Sequence, residues 1–279
     1  MLQLMSLIPF TMFENFAAPF LRLPHFRGKT RLEQALTNWL WKAPSTTLLY
    51  GLRMELDLND WSQMQLIKRN WMERETIYRY EEILRPDDVF IDVGANVGFH
   101  SLIARHLVGP KGKIIAFEPQ PYNANKILDN WRVNSFSNLK LYVAAAGEHF
   151  GSVELHNQLS SDRSVLTLLP EGGKNESQSF EVLILRLDSV LAQHEIQRVK
   201  LAKVDVEGYE LQVLRGLGER LKDIDNVIFE YFDTPERRDA NKSLLRLFAH
   251  YGFHLRAVNG KKWSEGDTVP ESNLWAARL

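Results

Sequence analysis

Cysteine is missing from all 279 residues. That excludes a disulfide framework, a thiolate nucleophile and any zinc site built on Cys. Long hydrophobic runs are missing too, since no uninterrupted apolar stretch approaches the ~18–20 residues of a spanning helix. Met1 to Phe26 is greasy, but Pro9, Glu14, Pro19 and Pro24 break it. It also has no basic start followed by a small-residue cleavage site, so a secretory signal is not expected and cytoplasmic residence is the default. Nor is one sign of charge in excess: 34 Lys and Arg face 35 Asp and Glu, a net charge of −1. A dedicated nucleic-acid binder needs a basic surplus, and none is present. Hydrophobic residues at 44% and charged residues at 25% exclude an intrinsically disordered chain.

What is present divides near residue 75. Over residues 1–50, Arg22, Arg27, Lys29, Arg31 and Lys42 outnumber Glu14 and Glu33. A weakly basic, aromatic-rich arm of this kind packs on the body of the protein or on a second copy of the chain; the alternative is peripheral membrane contact through residues 1–26. Residues 33–42 read as a short amphipathic helix. Leu52, Met54, Leu56 and Leu58 alternate with Arg53, Glu55 and Asp57 as a half-buried strand. A helical pattern then covers 60–84, capped by Asp60 and split around Trp71. Residues 1–75 are thus an accessory segment and 76–279 the main domain.

From residue 89 strands alternate with helices. Strands are expected at 89–93, 113–118, 139–145, 199–205 and 226–232, with helices between them and a β-rich insertion over 151–187. A helix at 236–251 and two closing strands, 253–258 and 273–279, complete the chain. This alternation predicts an α/β fold with a parallel sheet covered on both faces and an antiparallel hairpin at its edge. Such sheets bind ligands beyond the carboxyl ends of their strands, where the strand order reverses. The residues to follow are therefore Asp92, Glu118, Ala144 to Ala146, Asp205 and Glu230.

The first strand runs into Asp92-Val93-Gly94-Ala95-Asn96-Val97-Gly98. Glycine allows the tight turn, and the helix N-terminus that follows favours an anionic group. The spacing is G-x-x-x-G and not the G-x-G-x-x-G of dinucleotide sites, which disfavours an NAD-dependent oxidoreductase. Glu118 ends the second strand 20 residues after Gly98. An acid there can accept bonds from both hydroxyls of a ribose, whereas a surface carboxylate in that place would only cap the next helix. RGKT at 27–30 lacks the upstream glycine of a P-loop.

VFIDVGANVGFHS, IIAFEPQPYN, NWRVN at 130–134 and above all KVDVEGYELQVLRG resemble the FkbM family of S-adenosylmethionine-dependent methyltransferases, in order, over most of the chain. The resemblance implies a class I methyltransferase (Rossmann-like) fold: a seven-stranded, mostly parallel sheet with an antiparallel last strand. It implies O-methylation of a hydroxyl on a small molecule, sugar, glycolipid or polyketide-like acceptor. Asp92, Gly94, Asn96 and Gly98 would surround the methionine part of S-adenosyl-L-methionine, Glu118 would hold the ribose, and Ala144 and Ala145 would flank the adenine. Gln120 stands where the family often has Asn, and His100 where Tyr is frequent.

A neutral alcohol is a poor nucleophile and needs a base within hydrogen-bond reach. Asp205, ending the fourth long strand, is the first choice for a catalytic acid or base, and Glu207 the second. The alternative is that both carboxylates fix the turn through backbone N–H bonds. Glu210 is expected to point to solvent. Glu230 could join Asp205 as a hard-cation pair, but nothing in the spacing requires a metal and none is assigned. His100 reads as a packing residue, and His156 as a weak substrate-side candidate. A methyltransferase fold that has lost its chemistry, a binding or scaffold protein, is the rival of a different class.

Overall fold

Residues 28–29, 31–32, 46–47, 49–57, 60, 63–64, 66, 73–157, 166–167 and 178–278 are described in a computed structural model of the chain. The helix expected at 33–42, the arm 1–26, and Leu58, Trp61, Ile67 and Trp71 lie outside them. Thr46–Thr47 (β1) and Arg53–Met54 (β2) form a short antiparallel ladder. The expected alternation holds around it: Leu52, Met54 and Leu56 are buried while Arg53 is exposed. Asp60 caps as expected, its Oδ1 accepting the Gln63 N–H at 3.0 Å. Helix α1 (Arg74–Ile83) starts after Glu73, whose φ of 51° breaks the helical path. The free N–H groups of its first turn are taken by a distant side chain, as Glu271 accepts from Glu75 and Thr76, each at 3.0 Å.

Five segments then build half of the main sheet: β3 (Val89–Val93), α2 (Phe99–Val108), β4 (Lys113–Phe117), α3 (Pro121–Val133) and β5 (Leu139–Tyr142). The chain leaves this sheet for β6 (Ala145–Ala146), β7 (Gly151–Asn157), β8 (Leu166–Thr167) and β9 (Gln178–Leu185), a separate four-stranded sheet in the order β6-β9-β7-β8. The expected strand over 139–145 is therefore two: β5 ends at Tyr142, and Ala145 pairs instead with Ile184 of β9. The chain returns through α4 (Leu187–Gln193), β10 (Leu201–Val204), α5 (Glu210–Arg215), β11 (Asn226–Glu230), α6 (Arg238–His250), β12 (His254–Ala257) and β13 (Asn273–Ala277).

The main sheet has seven strands in the order β12-β13-β11-β10-β3-β4-β5. All pairs from β11 to β5 are parallel, and β13 runs antiparallel between β11 and β12. The winding reverses between β3 and β10, so their carboxyl ends open the crevice. The strands are near-continuous apolar runs because both faces are covered. Phe90, Ile114, Leu201 and Ile228 pack on one side with Tyr80, Leu102 and Met54. Ile91, Val93, Phe117, Val204 and Phe229 pack on the other with Leu214 and Phe248. Among the described residues no helix is long and apolar enough to cross a membrane.

The accessory strand is attached by side chains that replace a backbone partner. Asn130, fully buried on α3, accepts the Glu55 N–H at 2.7 Å and donates to Val97 O at 2.9 Å. One turn on, Asn134 accepts the Arg53 N–H at 2.9 Å and donates to Arg53 O at 2.6 Å. Asn130→Leu keeps the volume and strands a buried donor and acceptor, each costing about 1–3 kcal/mol. We expect Tm to fall by roughly 5–15 °C; calorimetry showing no change would mean that these bonds do not hold the strand.

Candidate active site

The turn after β3 is built from contacts that only particular residues permit. Gly94 and Ala95 both donate to Phe117 O at 3.0 Å, which ties the turn to the end of β4. Gly94 has φ 83°, and a Cβ there would lie 1.8 Å from the carbonyl oxygen of Asp205. Asn96 adopts φ 51°, a left-handed conformation that Asn tolerates better than most residues. Gly98, at φ 87°, starts α2 with Ile127 against it. The Asn96 N–H then donates to Glu118 Oε2 at 2.8 Å, and the Gln120 N–H to Oε1 at 2.9 Å.

Asp92, Gly94, Asn96, Gly98 and Glu118 are thus brought together. Ala144 is buried and Ala145 half-buried just past β5, whose Tyr142 O accepts the Glu118 N–H at 3.0 Å. Glu118 is no surface carboxylate, being 4% exposed. Burial pushes its carboxyl up to about 7, against the downward pull of the Gln120 and Asn96 N–H groups and the Asn123 side chain. Asp92 is raised as well by burial, although His100, Lys203 and the 2.6 Å bond from Ser101 favour its charged form. Beside Glu118, Gln120 Oε1 and Asn123 Oδ1 are buried with no hydrogen-bond partner among the described residues. An ionised carboxylate offers about four acceptor sites, so Glu118 keeps capacity beyond the Asn96 and Gln120 N–H bonds and the Asn123 side chain.

The turn after β10 carries the second group. Asp205 N–H donates to Val93 O at 2.9 Å, and Glu207 and Gly208 follow in left-handed conformations, φ 53° and 104°. The carboxylate that ties this turn is Glu210, which accepts from Gly208 at 3.0 Å and Val206 at 3.3 Å. Glu210 is 5% exposed, so the expectation that it faces solvent is wrong: a turn of two left-handed residues presents N–H groups that need a buried acceptor. The Asp205 carboxylate instead contacts the Lys203 ammonium. Glu207 lies 3.9 Å and Glu230 3.5 Å from the Arg237 guanidinium. Burial and the carboxylates of Asp205, Glu207 and Glu210 push Glu230 up to about 9. Oxygens of Asp205, Glu207 and Glu230 lie within 4.8 Å of one another, an arrangement able to hold a hard cation, with Arg237 already offsetting its charge.

The sequence reading passed over a buried polar network beneath these turns. Lys203 is 1% exposed and faces Asp92 in the register of β10 on β3. Its ammonium lies 3.9 Å from Glu73, which also takes bonds from Asn273 at 2.7 Å and His100 at 3.4 Å. Burial would raise Glu73, but Lys203, His100 and Asn273 more than offset it and hold the carboxyl down to about 2. A lysine inside LAKV was the available signal. Nothing in the spacing links Glu73 to Asn273, 200 residues away. His100 packs edge-on against Tyr80 and Phe99, as its packing role anticipated, and also joins this network. The side chain of His156 lies outside the described residues.

A reversing parallel sheet with its last strand inserted antiparallel, a glycine turn after the first central strand and a buried acid after the next define a class I methyltransferase. The FkbM methyltransferase domain model matches residues 92–255, and the chain belongs to that family. It is 31% identical to Methyltransferase 1 of Beauveria bassiana over 65% of this chain and 78% of that one. It is 26% identical to the hexuronic acid methyltransferase AglP of Haloferax volcanii, over 62% and 67% of the two chains. The 31-O-demethyl-FK506 methyltransferase FkbM of Streptomyces tacrolimicus is 28% identical, over 56% and 69%. The protein is an enzyme that transfers methyl groups.

Gly94→Ala tests the closest contact of the site. Left-handed strain and the clash with the Asp205 carbonyl are expected to cost about 2–5 kcal/mol together. Denaturant unfolding gives the value; an unshifted midpoint would show that the two turns are not pressed together there.

Proposed function

We propose that the chain is an S-adenosyl-L-methionine-dependent O-methyltransferase acting on a hydroxyl of a small molecule or glycan. The observation that carries this reading is the buried Glu118 carboxylate with unpartnered acceptor oxygens beside it. A buried carboxylate with spare acceptor sites stands beside two orphaned amide oxygens, Gln120 Oε1 and Asn123 Oδ1. A ribose diol would supply O–H donors to these acceptors. The names of AglP, a hexuronic acid methyltransferase, and of FkbM, a 31-O-demethyl-FK506 methyltransferase, support oxygen as the methylated atom.

In this reading Asp92, Gly94, Asn96 and Gly98 surround the methionine part, Glu118 holds the ribose, and Ala144 and Ala145 flank the adenine. When bound, the cofactor supplies an electrophilic methyl on sulfur. Asp205 would hold and orient the acceptor hydroxyl toward that methyl. Asp205 would take the proton of the acceptor hydroxyl as the methyl is transferred to that oxygen. Glu207, more exposed and turned toward Arg237, is the second candidate for that proton.

Three measurements test it. Glu118→Ala should weaken S-adenosylmethionine binding by roughly ten- to a hundredfold, the worth of a charge-assisted hydrogen bond. The folded Glu118 pKa is raised, so its contribution to apo stability is full below the ordinary carboxylate range and is lost as pH rises through about 7. A diol prefers the ionised form, so calorimetric affinity should climb about tenfold more between pH 6 and 8 in the wild type than in Glu118→Gln. Parallel pH curves would remove the ribose role. Separately, Asp205→Asn should bind cofactor normally and lose turnover, whereas full turnover would refute the base.

A further inference from the structure

Lys203 is the sole charge within Leu201–Val204, a run otherwise made of Leu, Ala and Val, and it is as buried as they are. Burying an ammonium costs several kcal/mol, and replacing a buried ion pair with apolar residues is often neutral or stabilising. Stability therefore gives no reason to keep a lysine there. The two carboxylates it touches are held differently. Glu73 is fixed from three elements at once: by Lys203 of β10, His100 of α2 and Asn273 of β13. Asp205 is the open end, its side chain 28% exposed against 2% for Lys203. The contact uses Asp205 Oδ2, while Oδ1 makes no hydrogen bond among the described residues.

We infer that Lys203 is a positioning residue: anchored by Glu73, its ammonium binds Asp205 Oδ2 and thereby presents Oδ1 to the acceptor hydroxyl. The inference rests on the reading of Asp205 as the base. It also explains why a residue preceding α1 and another on the last strand reach beneath the reaction centre. They immobilise the anchor, and a carboxylate misplaced by about 1 Å can cost a hundredfold in rate.

The test separates positioning from mere support of the fold. Lys203→Met alone leaves Glu73 uncompensated and should lower Tm. The double variant Lys203→Met/Glu73→Gln removes the Lys203–Glu73 pair together and should recover part of that loss in Tm. Turnover is measured with methyl-tritiated S-adenosylmethionine and a pool of free hexoses, 6-deoxyhexoses, hexuronic acids and their p-nitrophenyl glycosides, kinetics being taken on the acceptor that the unaltered chain labels fastest. The double variant is expected to bind cofactor within about twofold of wild type by calorimetry, keep its acceptor KM, and lose about 30- to 100-fold in kcat. Adding Asp205→Asn to it should cost little more, because both changes act through one carboxylate. Wild-type kcat in the double variant beside an inactive Asp205→Asn would overturn this inference and leave the base standing. An active Asp205→Asn, or an unaltered chain that binds cofactor and labels nothing in the pool, would overturn the base and this inference together. If Lys203→Met does not fold, Glu73→Gln alone serves: a kcat reduced threefold or more, about 0.7 kcal/mol, supports the anchor, and an unchanged kcat overturns it.

Discussion

The site depends on one close approach, the backbone of Gly94 against the carbonyl oxygen of Asp205, with no room for a Cβ between them. Parallel pairing of β3 with β10 brings the two turns side by side, and the bond from Asp205 N–H to Val93 O continues the ladder one residue past the strand. Every other site residue is located from this junction. Gly94 and Ala95 fix the turn to the end of β4, which places Asn96 on Glu118. Glu210 fixes the other turn, which leaves the Asp205 carboxylate available to Lys203. The reactive ends of the strands are therefore held by backbone geometry, and the side chains do not have to hold themselves.

That geometry concentrates acid. Asp92, Glu118, Asp205, Glu207, Glu210 and Glu230 gather where the strands end, with Lys203 and Arg237 as the opposing charges. The raised carboxyls of Asp92, Glu118, Glu210 and Glu230 follow from this crowding and from burial. For a cationic sulfonium donor such a field is attractive, but the charge on sulfur diminishes as the methyl leaves. The acidic surroundings thus bind the ground state at least as well as the transition state, and by themselves they do not accelerate transfer. On the mechanism proposed above, rate would come from alignment and from a base at the acceptor oxygen, and the anchoring of a single carboxylate would then have mechanistic weight.

Much of this was legible in the sequence, for physical reasons that also mark where legibility stops. Strands buried on both faces have to be apolar throughout, so VFIDV and LAKV announced themselves, and the polar residues inside them, Asp92 and Lys203, were the exceptions to notice. Asp92 was noticed because a glycine turn follows it; Lys203 was passed over because a lysine ordinarily reaches solvent. Glu118 was readable from its distance to the glycine turn. Glu210 was misread because a glutamate in the first turn of a helix usually faces water, and the acceptor demand of two left-handed residues ahead of it shows only in three dimensions. Glu73, His100 and Asn273 belong to one network through tertiary packing alone, which no periodicity encodes. The same holds for β2, whose alternation was plain while its hydrogen bonds to Asn130 and Asn134 were not.

Charge is distributed unevenly over the molecule. A net charge of −1 averages over a molecule whose two ends differ. Arg198, Lys200, Lys222 and Arg278 collect at the opposite end of the sheet, around a cleft that they share with Asp223 and Asp225. There Arg198 and Lys200 pair with Asp225 at 2.7 and 3.3 Å, in contacts open to solvent that contribute little to stability. At the carboxyl end comparable numbers of charges are buried, and each needs a partner of defined geometry or a shifted pKa. The same residue types are therefore held differently at the two ends: at one they pair near solvent, and at the other they are confined so that Lys203 holds a single oxygen of Asp205.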